Sequence, residues 1–576
     1  MEVKTRVIID NKQIDVFKSA NLEQHINNHH FFKIILDQEA IEEVGGHTID
    51  KSKDWLGKPV IISFEEKEFI GIATDIALNH ENGHSGELIV SGYSKTILLE
   101  SGKHMHSWLD KTLTNIITDT VDAAGVDADI SPEFKTAIEY QSQYNETHYQ
   151  FIQRLAKQYG EFLYYDGLKL VFGKPSSSSP IKVEYGSDLS NVKIAIKAVP
   201  NKANMFSYNA LDDAKSEVKS KDDVLGGLNE LGLHSFNVSN EIFKIVPNNI
   251  SSARVSDKSQ IDTQMKKAQT EAVASLSTLT AHSKKQGLGI GSVIKVSSAK
   301  YDKKNYDVKS YGEYMIIGIT HTATSQGMYS NTFEAISSGV EVLPAPEVAL
   351  PIAQPQIATV LSNEDPKSKG RVQVQFQWQK NQMKTSWLRV MTPDAGKSDL
   401  VGTNRGFVFV PEVGDQVMIG FRYSDPNRPF VMGSMFNGTT GAGGNEANKT
   451  KSLTTRSGAT ITIDDNEGDG KITVSDPSGN TITLNGDETI TISAPKSILL
   501  DAAEITLLGK DKVHIESKEV TIVGTNSIKE TSDTLVDIQS PKITANSDTT
   551  EITAKMTVDI EGKLMTNVKG TIVNLN

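Results

Sequence analysis

The chain has 576 residues, a formal net charge of −13, 38% hydrophobic residues and no cysteine. The lack of cysteine excludes disulfide staples and Cys-based zinc sites, and the acidic balance disfavours a sequence-independent grip on nucleic acid or anionic membrane. The length accommodates several domains, and the modest apolar fraction suits thin β structure. Met1–Arg6 carries no apolar stretch of the signal-peptide kind, and no run has the length of a membrane span. The expectation is synthesis in the cytoplasm without a signal peptide, and exit, if any, by another route.

Up to about residue 100 the sequence reads as short strands of a β-barrel or small sandwich. Examples are Phe31-Phe32-Lys33-Ile34-Ile35-Leu36, Val60-Ile61-Ile62-Ser63-Phe64 and Leu88-Ile89-Val90-Ser91-Gly92-Tyr93, with turn residues at Asn82-Gly83. Leu109, Leu113, Ile116, Ile117 and Val121 then fall at helical spacing behind Ser107 as N-cap. Phe151, Ile152, Leu155 and Tyr159 mark a second helix between an Asn145 cap and a Gly160 stop. Glu161–Tyr165 and Lys169–Phe172 flank Asp166-Gly167 and predict a hairpin. Ser176–Ser179 reads as a flexible loop, 210–250 stays unassigned, and Asp257 to about Ala281 is helix-compatible. Strands return at Ser292–Val296 and Tyr314–Ile319.

Prolines 344, 346, 351 and 355 mark a linker over 344–358, closing an N-terminal region over 1–343. A compact all-β segment over 359–437 follows, with strands at Val372–Trp378, Trp387–Val390, Phe407–Val410, Val417–Phe421 and Phe430–Gly433. Five short strands suggest a small barrel of the OB type. A Gly/Asn-rich linker over 438–452 leads to the tail, 453–576. There, apolar residues at i, i+2 form pairs such as Ile490/Ile492, Ile505/Leu507 and Val520/Ile522, recurring every 7 to 8 residues between Ile482 and Ile543. A one-faced ribbon must press that face against something. A single-chain β-helix takes about 20 residues per coil, so one strand per step favours several chains each supplying a wall, most simply three. A monomeric β-solenoid or a Thr-rich stalk is the alternative.

The barrel segment carries specific wording: Gly370-Arg371-Val372-Gln373-Val374, Ser386-Trp387-Leu388-Arg389-Val390, Pro411-Glu412-Val413-Gly414-Asp415, Asp425-Pro426-Asn427-Arg428-Pro429 and Gly433-Ser434-Met435-Phe436-Asn437-Gly438. In order and spacing it resembles the barrel of the VgrG family, spike proteins of type VI secretion systems related to contractile phage tail spikes. Asn445–Thr450 with Thr455-Arg456-Ser457-Gly458 looks like that family's entry into the needle, and Tyr144-Asn145-Glu146-Thr147 through Arg154-Leu155-Ala156 looks like its tail-hub domain. The wording is closest to VgrG proteins of Bacteroidetes-type systems. The implied architecture is mainly β with some α: a phage tail-hub-like α+β region, an OB-type barrel and a C-terminal trimeric β-prism or β-helix needle.

The resemblance implies a non-enzymatic puncturing spike, a homotrimer on an Hcp-type hexameric tube among baseplate proteins. It would carry a PAAR-type tip and non-covalent effectors, touch a target membrane in passing, and be secreted or injected after assembly in the cytoplasm. The spike of a phage tail or extracellular injection particle is the second reading, and a β-helical polysaccharide-active enzyme the third. The needle core is assigned to Ile482, Ile490, Ile498, Ile505, Val513, Val520, Ile528 and Ile543, and the tip contact to Ile572, Val573, Leu575 and Asn576. No catalytic, metal or cofactor residue is expected. The Gly287–Gly291 cluster precedes a strand and reads as a turn. His25, His29, His30, His104 and His106 match no ligand spacing. No Gly-x-Ser-x-Gly elbow is present, and the barrel strands lack the basic and aromatic interleaving of a nucleic-acid groove.

Overall fold

The computed structural model describes residues 5–38, 48–65, 67–81, 85–174, 179–223, 227–255, 257–302, 305–441 and 443–575. The turn expected at Asn82-Gly83, most of the Ser176–Ser179 loop and the tip residue Asn576 lie outside them. The chain divides into two compact units, Met1–Ala442 and Gly443–Asn576.

The first unit is built on a thirteen-stranded sheet, counted among the described residues. Seven strands between Thr5 and Ser94 form an antiparallel lobe around Val7, Phe32, Ile34, Val60, Ile62, Leu88 and Val90. The second lobe is a closed barrel. Its strand Val293–Asp302 pairs in parallel with Ile181–Tyr185 and antiparallel with Asn305–Ala323, so the ring has no free edge. The lobes join edge to edge where Ser19–His25 pairs with 318–323. Gly287 and Gly291 have positive φ and turn the chain into Val293, as the sequence reading expected.

Between the lobes in sequence lies a helical insert. The strand His104–Lys111 pairs with Ile138–Glu146, placing Leu109 opposite Tyr140. Leu109 is therefore not helical, and Thr112, not Ser107, caps the helix Leu113–Ala123 by accepting from Asn115 N. The next helix runs His148–Tyr159 and starts from Thr147, not Asn145. Thr147 Oγ1 accepts from Gln150 N while Thr147 N donates to Gln150 Oε1, a reciprocal capping box. Asn145 takes φ +52° in the irregular end of the preceding strand, which a cap residue does not do. Gly160 ends the helix in the left-handed conformation as expected. The hairpin of Leu163–Tyr165 with Leu170–Gly173 also forms, and Gly167 is required there because a Cβ would lie 2.5 Å from Glu68 O. The unassigned 210–250 stretch contributes to a small sheet over Asn204–Asn209, Ala214–Lys219 and Asn248–Ile250, with the helix Glu230–Ile242. The helix behind Asp257 stops at Val273, and Ser277–Ser283 is a strand.

The motif Tyr144–Arg154 acquires a physical meaning. Arg154 is fully buried and bonds Glu146 through Nε–Oε1 at 2.6 Å and Nη2–Oε2 at 2.7 Å. Its remaining donors reach Ser142 O at 2.7 Å and Gln158 Oε1 at 3.0 Å. A second buried network runs from His30 to Asn331. Gln24 Nε2 donates to His30 Nδ1, Gln24 Oε1 accepts from His321 Nε2, His321 Nδ1 and Tyr329 OH share a hydrogen bond of 2.8 Å, and Asn331 Nδ2 donates to Tyr329 OH. Burial favours the neutral form of both imidazoles and pulls each down from 6.5 to about 3. Among the described residues no cluster of histidines and acids could hold a metal ion.

The barrel is also part of this unit. Strands Gln373–Phe376, Gln356–Ser362, Gln416–Phe421 and Pro429–Met435 form one sheet in that order. Single bridges from Leu388 to Val372 and from Val390 to Val431 let 388–390 close it into a five-membered ring. Its core is Ala358, Val360, Val372, Val374, Phe376, Leu388, Val417, Ile419 and Val431, with Trp378 packed against it. The ring's membership differs from the expectation at two places. Gln356–Ser362 is a barrel strand, and Phe407–Val410 is not.

Two predictions follow from the buried groups. Arg154→Met leaves the Glu146 carboxylate uncompensated and is expected to cost about 3–5 kcal/mol, read as the denaturation midpoint of the N-terminal transition. Adding Glu146→Leu should recover part of the loss. Acidification should destabilise the same unit: from pH 6.5 down to about 3 the unfolded chain binds protons that native His30 and His321 refuse. Calorimetry should show the melting temperature falling across that window, and less steeply in His321→Gln.

Candidate functional site

The C-terminal unit presents one extended surface. Five strands, Thr450–Thr454, Thr460–Asp464, Lys471–Ser475, Thr481–Leu484 and Ile490–Ser493, form an antiparallel meander. Asp476 shows how the turns are locked: its carboxylate accepts from Ser478 and Asn480, which holds its pKa down at about 2. Register then aligns the apolar residues. Leu453, Ile461, Val474, Ile482 and Ile492 form one cross-strand row, and Ile463, Ile472, Leu484 and Ile490 the neighbouring one. The other face carries the row Ser452, Thr462, Thr473, Thr483 and Thr491. In one chain the nine apolar residues are between 39% and 66% exposed. A contiguous apolar sheet face of this kind marks an interaction surface.

After Ser493 the backbone changes character. It bends at 495–496, 503, 510–511, 518, 525–526, 533–534, 541, 548, 555–556, 563–564 and 571–572, every 7 to 8 residues. An apolar residue follows two or three positions after each early bend: Ile498, Ile505, Val513, Val520, Ile528, Val536 and Ile543, all 46–64% exposed. Val536 belongs to this series although the sequence reading passed over it; its spacing of eight from Ile528 and seven to Ile543 was the available signal. Ile482 and Ile490 lie in different rows but on the same face of the meander. Ile572, Val573 and Leu575 are exposed at the far end.

The Asp425–Pro429 motif proves to be a latch within the first unit. Asn427 is buried; its Oδ1 accepts from Ser142 N at 2.8 Å and its carbonyl accepts from Arg254 Nη1 at 3.0 Å. Arg428 Nε bonds Asp425 Oδ2 at 3.0 Å, and its Nη2 reaches Ser251 O at 2.6 Å. Gln379 Nε2 adds a 2.6 Å bond to Ser107 Oγ, and Tyr144 OH accepts from Gln356 Nε2 at 2.9 Å. The barrel is thus fastened to the helical insert through buried backbone groups. The Gly370-Arg371 motif works inside the barrel: Arg371 pairs with Asp365 through two bonds, which holds that carboxyl well below its usual range.

The described residues thus comprise a two-lobed β region, an OB-type barrel and a repetitive one-faced β tail. Three family models match in the same order: the phage tail baseplate hub over 46–327, the type VI secretion system/phage-baseplate injector OB domain over 356–436, and the phage baseplate V C-terminal trimerisation domain over 451–521. In the kind and order of these domains the chain is similar to the VgrG spike proteins. It is 24% identical over 427 residues to the type VI secretion system spike protein VgrG1b of Pseudomonas aeruginosa, covering 66% of this chain and 54% of that protein. With VgrG1a of the same organism it shares 27% over 168 residues, 26% of this chain and 25% of the other. The match thus spans only about half the length of the first relative and a quarter of the second. The Francisella PdpA–VgrG complex in its lidded form has the same fold, with a TM-score of 0.54 and 11% identity over 85% of this chain and 80% of that one.

The latch predicts a local effect. Asn427→Ala leaves Ser142 N and the surrounding groups without their partner, a cost of about 1–3 kcal/mol. Amide exchange at Ser142 should accelerate while the barrel-core amides at Val374 and Ile419 stay protected.

Proposed function

We propose that this chain is the spike of a contractile type VI secretion apparatus, working as a homotrimer. The observation that carries the reading is the apolar face over 453–492 together with the bent repeats that continue it, in a segment matched to a trimerisation domain. Three copies with Ile498, Ile505, Val513, Val520, Ile528 and Ile543 turned to one axis remove from water what a single chain leaves exposed. Each fully buried Val, Leu or Ile then contributes about 1.5–3 kcal/mol.

The hub supports a tube-docking role. Each chain carries two β lobes joined edge to edge, so three chains present six, the number needed to meet a hexameric ring of the Hcp type. Ile572, Val573, Leu575 and Asn576 are the surface for a PAAR-type cap. Work on this reading is mechanical, with no catalytic step: contraction drives the spike through a target membrane, and effectors travel as separate chains. A Francisella VgrG solved in complex with a second protein, PdpA, supports the carriage of separate chains. Among the described residues no helix is long and apolar enough to cross a membrane. The match to a phage tail hub model keeps a phage or extracellular injection particle as the second setting for the same mechanics.

Sedimentation of the full chain tests the assembly. A particle of three times the 62.9 kDa chain mass is expected, and a stable monomer would overturn the reading. Ile505→Asp, which sets three like charges at one level of the axis, should dissociate the particle.

A further inference from the structure

The stretch Phe407-Val408-Phe409-Val410 is at odds with its own sequence. Four β-branched or aromatic residues in a row are strand formers, yet they join no sheet. Both ends are nevertheless tied down. Phe407 N donates to Asp394 O at 2.9 Å, and Phe407 O accepts from Thr392 Oγ1 at 2.9 Å. That hairpin base, Ala395–Gly396 against Arg405–Gly406, is pinned by Arg405 Nη1 on Asp394 Oδ2 at 2.7 Å. At the other end Val410 packs against the barrel core. Between the anchors, Val408 and Phe409 are 60% and 56% exposed, and Phe407 is 53% exposed. Among the described residues the backbone groups of 408–410 bond to nothing. The five-membered barrel ring is already closed by 388–390, so this chain's own barrel offers the stretch no place.

We propose that residues 407–410 are a strap that docks on the barrel of a second copy of this chain in the same trimer. The inference rests on the trimer reading above and adds a contact outside the needle. A second copy is the occupant the chain itself supplies: residues 436–450 alone separate the last barrel strand from the trimerisation segment. Three segments held together therefore keep three barrels at high effective concentration. The receiving barrel has apolar side chains to offer, with Leu361, Met391, Met432 and Met435 exposed. The receiving ring is closed too, so the strap lies over the barrel and not in its sheet, and seating Phe407 and Phe409 on those apolar side chains gives it its affinity and shields its amides from water. Each barrel gives one strap and takes one, a head-to-tail contact that closes when the ring has three members.

Hydrogen exchange on the full chain, run with its sedimentation mass, tests this. In a trimer the amides of Val408–Val410 should exchange at least about tenfold slower than free amides. Ile505→Asp, which releases the copies, and Phe407→Asp with Phe409→Asp, which spoils the strap alone, should both abolish that protection. The strap variant should still sediment as a trimer. Because the chain has no cysteine, Phe409→Cys gives an independent readout: its thiol should react slowly with a thiol reagent in the trimer and rapidly in the Ile505→Asp background. A trimer with freely exchanging 408–410 overturns the strap and leaves the trimer reading standing. A monomer overturns both, whatever its exchange.

Discussion

The whole C-terminal unit answers to one constraint, the need to cover an apolar face that a single chain cannot fold away. Strict alternation of Ile, Val or Leu with Thr or Ser puts every apolar side chain on the same side of the meander. Hairpin pairing satisfies the backbone but does nothing for that face. At about 25 cal/mol per Å², leaving it in water forfeits most of what the sequence invests in it. Hydrophobic burial is non-directional, so register must come from elsewhere. The Asp-locked turns provide it.

The N-terminal unit uses another device as well, buried polar groups held by directional bonds. Arg154 with Glu146 uses directional bonds to fix the insert's helix on its own strand, and Asn427 with Ser142 and Arg254 fixes how the barrel meets the rest of the unit. Misplacing such a group by an ångström strands a desolvated charge or amide, so these joints resist sliding in a way that an apolar contact does not.

The tail was the most legible part of the sequence, because a 7-to-8-residue period survives without any knowledge of partners. The hub's local elements were legible where periodicity and turn chemistry act alone, as at Gly160 and at Asp166-Gly167. They were misread where tertiary pairing overrode a local signal. Leu109 fits a helical pattern but is claimed by Tyr140 across a ladder, and Asn145 is a good cap by identity but sits in the irregular end of a strand. The strand Gln356–Ser362 was hidden by the prolines just before it, and Phe407–Val410 read as a barrel strand because propensity says nothing about whether an edge is free. Asp425–Pro429 could be recognised as wording but not understood, since its partners Ser142, Ser251 and Arg254 lie far away in sequence.

The bends after Ser493 recur with nearly the same local environment each time: a bend, an apolar residue, and a polar run to the next bend. Adding or removing one such unit poses no new packing problem, because every layer repeats the layers on either side. Length in this part of the protein is therefore a tally rather than a design. A gene can lengthen or shorten this stretch by duplicating or deleting 7 or 8 codons, leaving the fold of the first unit as it was.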